Sequence, residues 1–174
     1  MNLELFAMRW LRWQKRCVIV LEQRSPRQWS CGVPDVLGIT GARYLIEIEI
    51  KRTLSDFKAD SRKAFRQRRN LGIKRELDPK QFYYLVPSTL VEKVRPLVPD
   101  WAGLMRGPTE CSHSIFVVKA APTNNQSTRL TVKECCRLVI YINNHALTKA
   151  ESLQAILGRF KEGYSCWPEP DYEI

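Results

Sequence analysis

The chain of 174 residues lacks the long apolar segments that membrane proteins need. No uninterrupted apolar run approaches the roughly 18 residues required to span a bilayer. The opening Met-Asn-Leu-Glu has no basic region followed by an apolar stretch, so a secretory signal is not expected. The sequence therefore predicts a cytoplasmic protein with no membrane partner.

Histidine is scarce and the cysteines are scattered, which argues against a zinc or iron–sulfur site. The two histidines, His113 and His145, have no partner at ligand spacing, and the six cysteines include no Cys-x-x-Cys pair. Thiols of a cytoplasmic protein normally stay reduced. We expect the cysteines to be structural rather than metal ligands.

Acidic residues are too few to balance the basic ones. The chain has 28 Lys and Arg against 18 Asp and Glu, a net charge of +10 at neutral pH. A small domain with such a surplus favours an anionic partner, either nucleic acid or an acidic membrane surface. No basic amphipathic helix stands apart from the fold, so nucleic acid is the expected partner.

Hydrophobic spacing predicts an alternation of helices and strands. We expect helices over residues 2–14, 55–70, 88–95, 131–147 and 149–161. We expect strands over residues 17–23, 33–40, 44–51, 82–87, 101–105 and 115–121. This order predicts the α/β (α+β) class, a mixed sheet with helices on its faces.

Trp10 and Trp13 fall on the apolar face of the first helix and are expected in the core. Trp29, in a polar stretch, could instead contact a base, although a packing role is preferred.

The strand 44–51 carries a charged face and an apolar face. Side chains alternate along a strand, so Tyr44 and the isoleucines at 46, 48 and 50 share one face. The other face carries Leu45, Glu47, Glu49 and Lys51. Two carboxylates and an ammonium group are therefore expected to project from one side of a strand whose reverse side is apolar.

The turn before this strand predicts which residue lies opposite Glu49. A three-residue loop of Gly41, Ala42 and Arg43 would pair position 40 with position 44, and therefore Asp35 with Glu49. Directly opposed side chains lie about 5 Å apart. Two carboxylates at that distance repel each other unless a cation neutralises them, and hard Mg²⁺ or Mn²⁺ prefers such oxygen ligands.

Phosphodiester hydrolysis requires a set of groups of this kind. A metal bound by Asp35, Glu49 and the carbonyl of Ile50 would polarise the phosphoryl group and lower the pKa of a bound water. Lys51 could orient that water or offset charge on the phosphate. Glu47, one pleat away, is expected to support the ligands or to bind a second ion.

These residues resemble the motif of the PD-(D/E)xK nuclease superfamily. The motif reads here as Pro34-Asp35, then thirteen residues, then Glu49-Ile50-Lys51. The surrounding stretch, together with Phe82 to Pro87, is similar to small bacterial and phage members of the DNA-repair type. The resemblance covers residues 1 to about 106. It implies a restriction-endonuclease-like α-β-β-β-α-β core, a DNA substrate and, as the favoured activity, endonucleolytic cleavage. It also implies a further acidic residue on the first helix, for which Glu4 is the candidate.

This interpretation divides the chain into three parts. Residues 1–125 would form the nuclease-like domain, and residues 126–163 a C-terminal helical extension of it. The acidic segment 164–174 would be a mobile tail.

A run of basic residues follows the charged strand. Lys58, Arg62, Arg66 and Arg69 would share one face of a continuous helix over 55–70, from which they could contact phosphates. Such a run is more often a solvated surface. Its place directly after the catalytic strand favours a role in nucleic-acid binding.

Several alternatives stay open from the sequence. The strand could be an ordinary amphipathic strand in which Lys51 pairs with an adjacent glutamate. The segment Asp56-Phe57-Lys58 also satisfies the D-x-K pattern, and the chain contains two further Pro-Asp pairs. The protein could bind nucleic acid without catalysis, or serve as a protein-interaction domain. A homodimer also stays open.

Overall fold

The computed structural model describes residues 2–22, 33–60, 62–73, 78–112 and 114–163. Trp29 and the predicted tail 164–174 lie outside the described residues. The chain divides into two compact units, Met1–Cys135 and Cys136–Ile174, and each is described by itself. Within the described residues, no helix has the length and apolar character needed to cross a membrane.

Thirteen segments of regular structure occupy the described residues, and their order follows the predicted alternation closely. The first unit begins with α1 (Leu3–Trp13), β1 (Cys17–Glu22), β2 (Val36–Thr40), β3 (Leu45–Ile50), α2 (Leu54–Asp60), α3 (Ala64–Asn70) and β4 (Gln81–Val86). After β4 come α4 (Val91–Val94), flanked by 3₁₀ turns at Ser88–Leu90 and Arg95–Leu97, then β5 (Gly103–Arg106), β6 (Phe116–Lys119) and α5 (Val132–Gly163).

One six-stranded sheet organises the first unit, with the strands in the order β1 to β6. β1, β2 and β3 pair antiparallel, β4 runs parallel to β3, β5 runs parallel to β4, and β6 returns antiparallel. The helices between parallel strands supply the crossovers that such pairing requires. The predicted class, a mixed sheet flanked by helices, is confirmed.

The register of the hairpin between β2 and β3 is the predicted one. Val36 pairs with Ile48, and Leu37 pairs with Glu47. The loop closes through the amide of Arg43, which donates to the carbonyl of Thr40 at 2.8 Å. Arg43 has a φ of 65°, as a three-residue hairpin loop usually requires of one residue.

The two faces of the sheet are covered by different helices. On one face, Ile46, Ile48 and Ile50 belong to the same core cluster as Leu3, Ala7, Trp10 and Leu11 of α1. On the other face, aromatic and aliphatic residues of β4 and β5 pack with residues of α2, α4 and the segment after α4, namely Phe57, Phe82, Tyr84, Val86, Val91, Val94, Val98, Ala102 and Leu104. The predicted alternation along β3 is confirmed, and Glu47 and Glu49 are buried on the second face.

The prediction of one continuous helix over 55–70 is wrong. α2 ends at Asp60, the amides of Arg62 and Lys63 donate to carbonyls three residues back, and Lys63 is extended with a ψ of 135°. Neither glycine nor proline marks this break. It coincides with a buried Asp60 side chain that binds Lys63 and Arg66, and the intervening turn brings both groups to it.

The prediction of two helices over 131–147 and 149–161 is also wrong, because α5 is continuous. It begins at a capping box, in which Glu134 accepts the amide of Thr131 and Thr131 accepts the amide of Glu134. Thr148, at the predicted boundary, remains helical and its hydroxyl donates to the carbonyl of Asn144 at 3.0 Å. The boundary lacked glycine or proline, the residues that commonly end a helix.

Candidate active site

The charged residues of β3 are buried at the end of the strand where the chain leaves the hairpin. Glu47, Glu49 and Lys51 are each less than 5% exposed. Charged side chains are seldom buried so fully unless they are paired. Their partners come from other elements, and together they form what we call the ionic cluster: Asp35, Glu47, Glu49, Lys51, Asp60, Lys63 and Arg66.

Lys51 lies between two carboxylates. Its Nζ is 2.8 Å from Oε1 of Glu49 and 3.1 Å from Oδ1 of Asp60. Burial lowers the pKa of Lys51, but the hydrogen bond with Glu49 and the charges of Glu49 and Asp60 outweigh that effect, and the pKa is raised. The side chain is therefore held as an ammonium ion in a fixed position.

Glu49 is surrounded by basic side chains. Its Oε1 accepts hydrogen bonds from Lys51 and Lys63, each at 2.8 Å, and its Oε2 lies 3.5 Å from Nη2 of Arg66. The repulsion expected between opposed carboxylates is thus offset by protein cations.

Asp35 precedes β2 and is half-buried beside the cluster. Its Oδ2 accepts the amide of Ile50 at 2.7 Å, a hydrogen bond that ties the start of β2 to the end of β3. Burial and the charge of Glu49 raise the pKa of Asp35, against the hydrogen bond from Ile50 and the charge of Lys51. The structure therefore brings Asp35, Glu49 and Lys51 together, as the register predicts.

Asp60 is a member of the cluster that sequence reasoning missed. Its side chain is completely buried and binds Nε of Arg66 at 2.7 Å, the hydroxyl of Tyr84 at 2.9 Å and Nζ of Lys63 at 2.7 Å. Burial raises the pKa of Asp60, but Arg66, Lys63 and Lys51 outweigh it and hold the pKa below its usual value. The signal available in the sequence was the spacing of Asp60 and Lys63 by three, which favours an ion pair.

Glu47 is the least compensated carboxyl group of the cluster. Burial raises its pKa to about 8, the charge of Arg66 opposes the shift, and Glu49 and Asp60 add to it. The guanidinium of Arg66 approaches Glu47 only to 3.8 Å. At neutral pH Glu47 is therefore largely protonated.

The residues fit a hard divalent cation in kind. Within the described residues, no group of three or more His, Cys, Asp and Glu side chains has the arrangement of a metal site. Mg²⁺, however, usually binds through one or two carboxylates and keeps several waters. Asp35 and Glu49, with the carbonyl of Ile50, supply such a set. The cluster also holds one more carboxyl group than basic groups. Burial, and secondly the charges of neighbouring carboxylates, raise the pKa values of Asp35 and Glu47.

The four basic residues predicted to share a helix face are separated by the break after α2. Lys58 and Arg62 are exposed, whereas Arg66 and Arg69 are 2% and 5% exposed. Arg66 binds the ionic cluster, and Arg69 lies 3.4 Å from the carboxylate of Asp78. The single exposed basic face expected over this segment is therefore not formed.

Two further acidic candidates contact residues 51 and 52, directly after β3. Glu4, on α1, accepts two hydrogen bonds from Nη2 of Arg52, at 2.8 and 2.9 Å, and so lies beside the residue that follows Lys51. Asp56, from the alternative D-x-K segment, has its Oδ1 3.7 Å from Nζ of Lys51. Phe57 of that segment is buried in the core and Lys58 is exposed.

Comparison with known proteins supports the fold. No protein-family model matches the chain, and no curated protein matches it. Among solved structures, the chain is similar to a protein of unknown function from Silicibacter pomeroyi, with a TM-score of 0.52 and 21% sequence identity. The match covers 96% of this chain and 95% of that one. At this identity, the likeness concerns the fold alone.

Proposed function

We propose that the protein is a metal-dependent nuclease of the PD-(D/E)xK type that cleaves DNA, most simply as an endonuclease. The observation that carries this proposal is the meeting of Asp35, Glu49 and Lys51 at one end of the β2–β3 hairpin. The order α1-β1-β2-β3-α2-α3-β4 differs from α-β-β-β-α-β only in the division of the second helix. With β4 parallel to β3, it supports a restriction-endonuclease-like core. The resemblance to small DNA-repair-type members of bacteria and phages favours DNA as the substrate.

Asp35, Glu49 and the carbonyl of Ile50 would hold Mg²⁺ or Mn²⁺. The bound ion would polarise the scissile phosphate and lower the pKa of an attacking water. Asp35 is suited to this role because it is half-buried and one of its oxygens, Oδ2, is already oriented by the Ile50 amide. Glu47, buried next along the strand, would adjust the charge around these ligands.

Lys51 would act on the water or on the phosphate. Its ammonium group is fixed by Glu49 and Asp60, so it needs little reorganisation when charge develops on the substrate. Asp60 is in turn fixed by Arg66 and Tyr84. The roles divide accordingly: Lys51 contacts the reacting groups, and Asp60 positions Lys51.

A basic surface would bring the phosphate backbone to this site. Lys58 and Arg62 are exposed around the end of α2, the helix that carries Asp60. Lys63, with a half-exposed side chain, joins the ionic cluster to solvent. Binding through such groups releases counterions and weakens with added salt.

The direct experiment is a cleavage assay with Mg²⁺ or Mn²⁺ on linear, circular, branched and single-stranded DNA and on RNA. We expect cleavage of at least one DNA form and none in EDTA. Cleavage that persists in EDTA, or that requires no divalent ion, would contradict the proposal. The pattern of products separates endonucleolytic from exonucleolytic action.

A second candidate function is nucleic-acid binding without catalysis. It is favoured by one observation, the saturation of Glu49 by Lys51, Lys63 and Arg66, which balances the carboxylate without a metal. Calorimetric titration with Mn²⁺ separates the two candidates. The nuclease should bind Mn²⁺ and lose that binding in Asp35→Ala, whereas a pure binding protein should show no binding in either form.

A further inference from the structure

A second candidate binding feature lies on α1, the helix that covers the sheet face opposite the ionic cluster. Phe6, Arg9, Trp10 and Trp13 are spaced so that they fall on one side of this helix. Trp10 is buried against Tyr83 of β4, with ring centroids 5.4 Å apart. Trp13, expected in the core from its apolar spacing, is instead 74% exposed.

These side chains line a hollow of about 210 Å³ between α1 and the segment before β6. Gln14, Ser114 and Ile115 complete its wall. The hollow is therefore lined by three aromatic rings and an isoleucine together with three polar side chains, a mixture typical of sites for small planar groups. Its size suits one ring system rather than a complete nucleotide.

The last turn of α1 and the residues that follow it carry only positive charges. Residues 9–16 include Arg9, Arg12, Lys15 and Arg16 and no acidic residue. Arg12 binds the carbonyls of Cys17 and Val18, and Lys15 binds Gln81 and lies over the Trp10 ring. Arg9 and Arg16 are exposed and, among the described residues, have no such partner.

We propose that this hollow is a binding site for single-stranded DNA. One base would stack on Trp13 within the hollow, and the adjoining phosphates would face Arg9 and Arg16. An exposed tryptophan near exposed arginines provides both elements of single-strand recognition, a stacking surface and a positive path for the backbone. Duplex DNA does not supply this ligand because its bases are stacked on each other.

This site is separate from the proposed nuclease centre. α1 packs on the isoleucine face of β3, whereas Glu47, Glu49 and Lys51 lie on the reverse face. A single strand held on α1 would be retained by the protein without entering the ionic cluster. The proposal therefore stands or falls independently of catalysis.

The test measures binding of a fluorescent oligothymidylate by anisotropy in EDTA, where metal-dependent cleavage is absent. Trp13→Ala and Arg9→Ala are compared with Leu71→Ala, which removes an apolar side chain of similar exposure, and with Arg95→Ala, which removes an exposed arginine elsewhere. Thermal melting confirms that each variant is folded.

We expect Trp13→Ala to weaken binding about tenfold, the usual effect of removing one stacking contact. Arg9→Ala should weaken it several-fold and reduce its salt dependence, and the two controls should bind as the unaltered protein does. Abasic sites in the oligonucleotide should weaken binding to the unaltered protein but leave Trp13→Ala unaffected.

Several outcomes would overturn the proposal. The first is equal affinity of Trp13→Ala and the unaltered protein for the oligothymidylate. If Trp13→Ala lost affinity for RNA but kept its affinity for DNA, the hollow would be an RNA-binding site instead. If Trp13→Ala abolished self-association in sedimentation but left DNA affinity unchanged, the hollow would be a contact between copies of the chain.

Discussion

At the scale of single residues, Lys51 depends on an acidic partner that lies outside its own strand. Asp60 reaches Lys51 from the end of α2, and Glu49 reaches it from two positions back on β3. Removing the carboxylate partner of a buried charge leaves that charge unpaired, which lowers the free energy of unfolding. The function of Lys51 and the stability of the cluster are therefore linked. Substitutions that test the function of a cluster residue must keep the volume of its side chain, so that the packing is not lost as well.

Lys51→Met should abolish turnover while metal and DNA binding persist. Methionine keeps the apolar stem, and Lys63 and Arg66 still compensate Glu49 and Asp60. We expect cleavage to fall about 100-fold or more, the usual loss when a group acting on a proton or developing charge is removed. Single-turnover rates measure turnover, and Mn²⁺ titration measures metal binding.

Lys58→Met is the control. Full activity in Lys51→Met with none in Lys58→Met would move the site to Asp56-Phe57-Lys58.

Asp60→Asn should change the pH profile of cleavage. The charge of Asp60 helps to raise the pKa of Lys51, so its loss should let Lys51 deprotonate at lower pH. We expect the fall in activity on the alkaline side to move to lower pH, while asparagine still accepts the Tyr84 hydroxyl. A profile that keeps its position, with only a uniform loss of rate, would mean that Asp60 is merely structural.

Glu47→Gln should make the protein more stable, and increasingly so as the pH rises. The folded state holds Glu47 with a pKa of about 8, above the ordinary value of 4.5, so the folded protein binds a proton that the unfolded chain has released. The free energy of unfolding therefore decreases between about pH 5 and pH 8 because of this group. Melting both proteins in EDTA tests this, and a constant difference in melting temperature across that range would contradict it.

The same substitution should lower cleavage without eliminating it. Glu47 adjoins the proposed ligands rather than binding the ion directly, and groups in such positions typically contribute about 10- to 100-fold. Loss of all activity in Glu47→Gln would place Glu47 among the metal ligands.

At the scale of secondary structure elements, the β2–β3 hairpin and the α2–α3 break differ in what determines them. The hairpin register followed from loop length and strand alternation, both local properties, and it placed Asp35 correctly beside Glu49. The break after Asp60 is marked by neither glycine nor proline. It coincides with the convergence of Lys63, Arg66 and Tyr84 on one buried carboxylate, and the Tyr84 contact exists only once β4 is in place. The sequence consequently predicted four of the seven members of the ionic cluster and missed the places of Asp60, Lys63 and Arg66 in it.

Gly103→Ala tests the attachment of β5 to the sheet. A Cβ at position 103 would overlap the ring of Tyr83 and lie 2.7 Å from the amide nitrogen of Ala121. Backbone cannot yield as a flexible side chain can, so we expect a loss of about 1–3 kcal/mol in the free energy of unfolding. Chemical denaturation measures it. Gly41→Ala, whose Cβ would meet nothing nearer than 4.0 Å, should change stability by less than about 0.5 kcal/mol.

At the scale of the whole molecule, the surplus of positive charge is divided between two uses. Lys51, Lys63 and Arg66 are committed to the ionic cluster, and Arg68 and Arg69 to Asp78. Arg9, Arg16 and Arg62 remain exposed. Composition alone predicted the anionic partner, but it could not separate internal ion pairs from binding groups. That separation depends on burial, which only the tertiary structure determines.

The proposed nuclease activity requires a metal ion held by Asp35 and Glu49. Its most direct test compares the initial rates of DNA cleavage in Mg²⁺ or Mn²⁺ for the unaltered protein, Asp35→Asn and Glu49→Gln. Asp100→Asn is the matched control, because Pro99-Asp100 repeats the dipeptide at a fully exposed position. Circular dichroism verifies folding, since Glu49→Gln also weakens the ion pairs of Lys51 and Lys63. We predict no detectable cleavage in either site variant and unchanged cleavage in Asp100→Asn. Full activity in Asp35→Asn or in Glu49→Gln would rule out the proposed metal site.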